Sequence, residues 1–245
     1  MSNKIVFFAV LAILLPGVAS NAQESAGNND KPVVYMVANA HLDTQWRWTV
    51  QTTIDEYVHN TLVQNFALFE AYPEYIFNFE GAVKYAWAKE YYPDLYERLK
   101  TYVASGRWHI SGASWDANDP NMPSIESQVR NILLGQEFYR KEFGILSTDI
   151  MLPDCFGFGY QLPSVAAHCR LIGFGTQKLA WRYLPFFEDG KKFPFYFGIW
   201  KGLDGNKLMA AMDGGVYIRQ MVYIMLIHSL SMVSLYLTFD DPTYL

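Results

Sequence analysis

His41-Leu42-Asp43 closes the apolar run Val33-Val34-Tyr35-Met36-Val37, and Trp46 follows. An imidazole and a carboxylate two positions apart, just past a buried strand, are the residue types of a divalent-metal site. Leu152-Pro153-Asp154-Cys155-Phe156-Gly157 closes a second apolar run. A lone Asp at such a strand end is a third ligand, a nucleophile, or both. One imidazole with two carboxylates suits Zn2+ with a position left open for another molecule. Such an ion can grip adjacent hydroxyls as a Lewis acid. A carboxylate touching both ion and ligand is also placed to attack an anomeric carbon. Taken alone, His-x-Asp is also an ordinary surface or capping pair. The buried strand before it, Trp46, and the second strand-end Asp favour the metal reading.

The elements that must position these residues follow from periodicity. A strand at 33–40 leads into the His41/Asp43 loop. A helix follows over 51–72, with Ile54, Tyr57, Val58, Leu62, Phe66 and Phe69 on one face and Pro73 as its stop. A strand at 75–79 stops at Glu80-Gly81, and helices at 82–90 and 93–104 end at Gly106. A strand at 107–111 runs into the polar loop 115–121. Ser124 caps a helix over 125–143 that Gly144 ends. Then come a strand at 149–152, a helix at 162–171 and a short strand at 172–175. Strand-like runs at 195–201 and 207–212 flank the turn Asp204-Gly205. Strand–helix repeats of this kind give an α/β chain with a parallel sheet, open or closed into a barrel. In either form functional residues gather at the C-terminal strand ends. The polar outliers fall there: His41 and Asp43, Glu80, Trp115 to Asn121, Asp154, and Gln177-Lys178.

Composition bounds the partners and the compartment. The 245 residues are 51% hydrophobic and 17% aromatic, ample for a packed core. A net charge of −5 with no basic stripe argues against a nucleic-acid partner. Many aromatics also suit a sugar-binding protein, because aromatic faces stack on pyranose rings, although core packing explains any single one equally well. Lys4, the apolar run from Ile5 to Leu15, and Ser20-Asn21-Ala22 read as a signal peptide over 1–22. A flexible lead over 23–32 follows, and export to the periplasm or medium is expected. The two cysteines, Cys155 and Cys169, are read as buried free thiols ahead of a disulfide.

At this point the residues resemble glycoside hydrolase family 38, the α-mannosidases. His41-Leu42-Asp43-Thr44-Gln45-Trp46 is similar to that family's zinc-binding strand-end motif. Pro153-Asp154-Cys155-Phe156-Gly157-Phe158-Gly159 is similar to its nucleophile motif. Phe77-Asn78-Phe79-Glu80-Gly81, Gly106-Arg107-Trp108 and Pro123-Ser124-Ile125-Glu126-Ser127 fall between them in the same order. The resemblance covers about residues 33–218. It implies an N-terminal catalytic domain on a partial seven-stranded β/α barrel of the glycoside hydrolase/deacetylase type. It implies a retaining, zinc-dependent exo-α-mannosidase acting on α-mannosides or mannose-containing glycans. His41, Asp43 and Asp154 would be metal ligands, Asp154 also the nucleophile, and Trp46 and Phe156 part of the sugar pocket.

The chain also departs from the family, whose acid/base carboxylate and further ligand His lie well downstream of the nucleophile. An uncharged, apolar stretch lies within 219–245. It is read as out of register through a frameshift or truncated reading frame, with a membrane anchor and a divergent buried segment as alternatives. His228, Asp240 and Asp241 are therefore not carried over as ligand or acid. His59, His109 and His168 read as surface or satisfied core histidines. Glu80 is equally a pocket residue or a structural one. Two other readings remain: a metal-dependent polysaccharide deacetylase, which would want a His-x3-His pair that the chain lacks, and a non-catalytic zinc- or mannose-binding chain.

Overall fold

The computed structural model describes residues 38–177 and 197–212. The segments read from sequence as a signal peptide (1–22) and a lead (23–32), together with Lys178 and the stretch 219–245, lie outside the described residues. Described strands and helices alternate as β1 (Ala38–Ala40), α1 (Val50–Thr52) running through a π-helical segment (Thr53–Val58) into α2 (His59–Ala71), β2 (Phe77–Glu80), α3 (Ala82–Tyr91), α4 (Pro93–Ala104) and β3 (Trp108–Ser111). Then follow α5 (Ile125–Phe143), β4 (Asp149–Met151), α6 (Leu162–His168), β5 (Gly173–Thr176), β6 (Phe197–Lys201) and β7 (Lys207–Met212).

The helix ends obey local chemistry. Ser124 sits extended before α5 and its Oγ accepts from the Ser127 amide at 3.1 Å. Gly144 ends α5 at φ 70°, the left-handed cap that favours glycine. Glu126 in the first turn and Arg140 and Lys141 in the last complement the helix dipole. Thr49 caps α1 through the Thr52 amide at 3.2 Å. Pro93 opens α4, where its missing N–H costs nothing.

The described strands form two sheets, and a seven-stranded closed barrel is not what they show. One sheet is parallel, in the order β1-β2-β3. The other has the order β4-β5-β7-β6, parallel except for the antiparallel β6–β7 hairpin. A seam joins them. The Ala113 amide donates to the Asp149 carbonyl at 2.9 Å, and the Asp149 carboxylate accepts from the Gly112 amide and Ser111 Oγ, each at 2.9 Å. Gly112 takes φ 70° to present that amide.

Each sheet has its own core. Phe66, Phe69, Phe77, Phe79, Tyr85 and Trp108 fill the first. Trp108 Nε1–H donates to the Tyr85 hydroxyl at 2.9 Å, which in turn donates to the Phe79 carbonyl at 2.8 Å, so the polar ends of these buried rings are satisfied. Ile150, Leu152, Leu162, Val165, Phe174 and Leu208 fill the second. Cys155 and Cys169 are both free thiols, the first buried and the second half-buried.

Helix α5 lies hard against the loop leaving β3. A Cβ on Gly135 would stand 2.1 Å from the Ala113 carbonyl oxygen and 2.7 Å from the Trp115 amide nitrogen. Helix propensity alone would favour Gly135→Ala by ~1 kcal/mol. Collision with unyielding backbone costs about 1–3 kcal/mol or more. At 2.1 Å from fixed backbone the collision takes the upper end of that range, so we expect Gly135→Ala to destabilise the fold by a net ~2 kcal/mol and to lower the urea midpoint accordingly. An unchanged or raised midpoint would show that the loop gives way freely.

Candidate metal centre

His41 stands one residue beyond β1 and Glu80 is the last residue of β2. The register pairs Ala40 with Phe79, so its continuation sets His41 level with Glu80. Their side chains meet: His41 Nδ1 lies 2.7 Å from Glu80 Oε1. An ionised carboxylate only accepts, so Nδ1 carries the hydrogen. The other ring nitrogen, Nε2, points to the two aspartates. It lies 3.3 Å from Asp43 Oδ1 and 3.9 Å from Asp154 Oδ2. One donor atom from each of His41, Asp43 and Asp154 falls within 4.8 Å of the others. Donors bound to Zn2+ at ~2.0–2.2 Å can be at most ~4.4 Å apart, so small side-chain adjustments suffice to close on an ion.

Charge supports the same fit. Three carboxylates, Asp43, Glu80 and Asp154, face one ammonium, that of Lys84, which lies 3.6 Å from Glu80 Oε1. Two formal negative charges remain, the complement of a divalent cation. Burial pulls the His41 imidazole down, but hydrogen bonds to Asp43 and Glu80 and the Glu80 charge outweigh it and raise it to about 9. Burial pushes Glu80 up, yet Lys84 and His41 together hold its carboxyl below its ordinary value. Without an ion, a proton on His41 offsets part of the negative charge.

The loops carrying these groups are tied down. Trp48 Nε1–H donates to Thr53 Oγ1 at 2.8 Å, and that hydroxyl donates to the Thr44 carbonyl at 2.9 Å. The π-helical segment thus begins on a residue that anchors the His41–Trp48 loop, the kind of place where such segments recur. Thr44 Oγ1 also donates to Asp116 Oδ2. Asn131 on α5 holds that polar loop, donating from Nδ2 to the Asp116 carbonyl at 2.8 Å and to Asn118 Oδ1 at 3.0 Å. Cys155 Sγ donates to the Asn118 carbonyl at 3.1 Å, tying the Asp154 loop to the same scaffold. Burial first, and neighbouring carboxylates second, push this thiol up to about 12, so it is no nucleophile.

The structure places the remaining sequence-derived candidates as follows. Trp46 and Phe156 are exposed rings, at 57% and 45%, on the two loops that bear the aspartates. The Arg47 guanidinium lies 4.5 Å over Trp46. Glu80 is buried rather than lining a pocket, its carboxylate bonded to His41 and paired with Lys84. Residues 115–121 act as scaffold for the two ligand loops. His59 packs 5.2 Å from the Tyr92 ring, His109 is exposed on β3, and His168 pairs with Asp204 at 3.1 Å. Gln177 is buried. His228, Asp240 and Asp241 lie outside the described residues. Sequence reasoning missed Lys84. Its signal was a lone cation inside the apolar run Ala82-Val83-Lys84-Tyr85-Ala86-Trp87-Ala88, four residues after a strand-end Glu.

Comparison with known proteins gives the arrangement its context. The profile described as "Glycosyl hydrolases family 38 N-terminal domain" matches residues 31–233. The chain belongs to glycosyl hydrolase family 38. It is 39% identical over 176 residues to Alpha-mannosidase G of Dictyostelium discoideum, covering 72% of this chain and 16% of that protein. It is 33% identical over 189 residues to Alpha-mannosidase 2C1 of Homo sapiens, covering 77% and 18%. The chain thus spans less than a fifth of the length of these relatives. A solved family 38 protein from Enterococcus faecalis shares the fold, with a TM-score of 0.62 at 21% identity, covering 87% of this chain and 24% of that one. Among the described residues no helix is long and apolar enough to cross a membrane.

Two outcomes follow for metal binding. His41→Ala and Asp43→Ala should each lower the Zn2+ content of the purified chain, read by elemental analysis; parent-like stoichiometry would remove the residue from the site. Because His41 is protonated below about 9, binding at Nε2 releases that proton. The apparent affinity should then rise by up to about tenfold per pH unit between pH 7 and 8.5 and level off near 9. Competition titrations against a chelating dye measure this, and an affinity that is flat above pH 7 would contradict it.

Proposed function

We propose that this chain carries the nucleophile and metal-binding part of a retaining, zinc-dependent exo-α-mannosidase acting on α-mannosides or mannose-containing glycans. The observation that carries the reading is the convergence of His41, Asp43 and Asp154 in a family 38 chain. When bound, the ion supplies Lewis acidity and a grip on neighbouring sugar hydroxyls. Asp154 would help His41 and Asp43 hold the ion, and its carboxylate is the group that attacks the anomeric carbon. Its attack forms a C–O bond while the glycosidic C–O bond breaks, and the bonding electrons leave on the aglycone oxygen, which takes up a proton. Water then cleaves the mannosyl ester and restores the carboxylate. Glu80 is committed to His41 and Lys84, so it is not the proton donor. The family resemblance puts that acid downstream of the nucleophile. Trp46 and Phe156 offer exposed rings against which a pyranose can pack.

We extend the reading to architecture and compartment. In a flat sheet β1 and β4 would be about 14 Å apart, three spacings of ~4.8 Å. His41 and Asp154 nonetheless approach to 3.9 Å, so the strand ends curl towards each other. That supports the two sheets being arcs of a seven-stranded β/α barrel. The charged, apolar and small-residue order of 1–22 supports export to the periplasm or medium.

Asp154→Asn tests the chemistry. Hydrolysis of 4-nitrophenyl α-mannoside should fall by ~10⁴-fold or more. A ring-fluorinated mannosyl fluoride should lose its anomeric fluoride and add a fluoromannosyl mass to Asp154 of the parent and none to the variant. Undiminished turnover in the variant, or the label on another residue, would take Asp154 out of the nucleophile role.

A further inference from the structure

An ion pair is sealed in the interior directly behind His41, and metal ligation by His41, Asp43 and Asp154 does not by itself require it. Lys84 is fully buried and Glu80 is 2% exposed. The Lys84 ammonium donates to the Glu80 carbonyl at 3.3 Å and lies 3.6 Å from its carboxylate. It also sits 5.8 Å from the Phe79 ring. Gly81 makes the arrangement fit. It turns the chain from β2 into α3 at φ 87°, and a Cβ there would stand 2.9 Å from Lys84 Nζ. The turn therefore both brings Lys84 back over Glu80 and leaves room for its ammonium.

A buried ion pair contributes little to stability by itself, because apolar residues of similar size do as well or better. Its geometry serves something else. Glu80 Oε1 is shared between the Lys84 ammonium and the His41 Nδ1–H. With Lys84 holding the carboxylate on one side, the carboxylate can hold the imidazole on the other, with Nε2 turned to Asp43 and Asp154. Partners behind a ligating histidine fix its tautomer and ring plane, and losing them typically weakens metal binding by about 10–100-fold.

We propose that Glu80 and Lys84 form a positioning pair for the metal centre, which holds the His41 ring rather than stabilising the fold. This rests on the metal reading of His41, Asp43 and Asp154. The test uses the full chain, Zn2+ titrated against a chelating dye, and urea unfolding of each metal-free protein. The variants are Glu80→Gln, Lys84→Met, and the double variant Glu80→Leu/Lys84→Met. The double variant removes both charges together and is expected to unfold near the parent midpoint, yet to bind Zn2+ up to ~100-fold more weakly. Glu80→Gln keeps the shape and an acceptor and is expected to lose about tenfold. Lys84→Met strips the buried Glu80 carboxylate of its ammonium partner, leaving it the His41 ring, and is expected to lose both stability and affinity. With Co2+ in place of Zn2+, the visible absorption band should change in the double variant.

Parent-like Zn2+ affinity and an unaltered Co2+ band in the double variant and in Glu80→Gln would overturn the positioning role while leaving the metal centre standing. Failure of the parent itself to take up Zn2+, with His41→Ala indistinguishable from it, would overturn the metal reading and this pair's role together. If the double variant does not fold, Glu80→Gln decides the question by itself.

Discussion

The site depends on the seam between the two sheets. His41 and Asp43 hang from the end of β1, in the first sheet, and Asp154 from the end of β4, in the second. Their separation is therefore set by how β3 meets β4. That junction rests on Asp149, whose carbonyl takes the Ala113 amide and whose carboxylate takes the Gly112 amide and the Ser111 hydroxyl. Ser147 Oγ donates to its other carboxylate oxygen at 3.1 Å. A carboxylate accepting several short hydrogen bonds is among the stronger polar anchors available to a fold. If it slipped, the three donor atoms would part even with every helix intact.

The interior under the site is layered by polarity. Deepest lies the aromatic cluster around Trp108, with Phe77 4.9 Å and Phe79 5.9 Å from its ring. Above it sits the Glu80–Lys84 pair, then His41, then the half-exposed aspartates. Each layer is satisfied by the next, which matters because an uncompensated charge at that depth would cost about 3–5 kcal/mol. The aromatic layer cannot hydrogen-bond to Glu80, so the carboxylate is directed towards Lys84 and His41. Geometry at the surface is thus set by what the core refuses to accept.

Much of this was legible in the sequence where local chemistry decides. Ser124 and Gly144 bound α5 as its caps require, and the apolar runs located the described strands to within a few residues. His41, Asp43 and Asp154 stood out because an imidazole and two carboxylates, each just past a buried strand, are together the residue types of a divalent-metal site. What was not legible was long-range. The sheet order, the antiparallel β6–β7 hairpin and the Asp149 seam depend on partners far apart in sequence. The helix expected over 51–72 spans the observed one, but its π-helical segment arises from tertiary bonds of Thr53 to Trp48 and Thr44. Helix 162–171 ends three residues early, at His168, because Arg170 adopts φ 63°, outside helical space. Lys84 was hidden by its own type, since a lysine on a helix is ordinarily solvated.

The segment after Asp154 needs support from outside itself. Gly157 lies so close to the 115–121 loop that a Cβ would be 2.9 Å from Asn121 Nδ2, and the chain then enters the short helix α6. Seven residues are too few to hold a helix by propensity. The β6–β7 turn supplies the missing constraint. Asp204 accepts from Ser164 Oγ at 2.7 Å and from Asn206 Nδ2 at 2.7 Å, and pairs with His168 at 3.1 Å, so one carboxylate grips both ends of α6. Those bonds, Ser164 foremost, hold Asp204 down at about 2. A depressed carboxylate contributes its stabilisation above its unfolded value of ~3.9 and loses it only as pH falls through about 2. At neutral pH the clamp is therefore fully engaged. Any adjustment of Asp154 towards an ion must then come from its own loop, because the helix behind it is fixed.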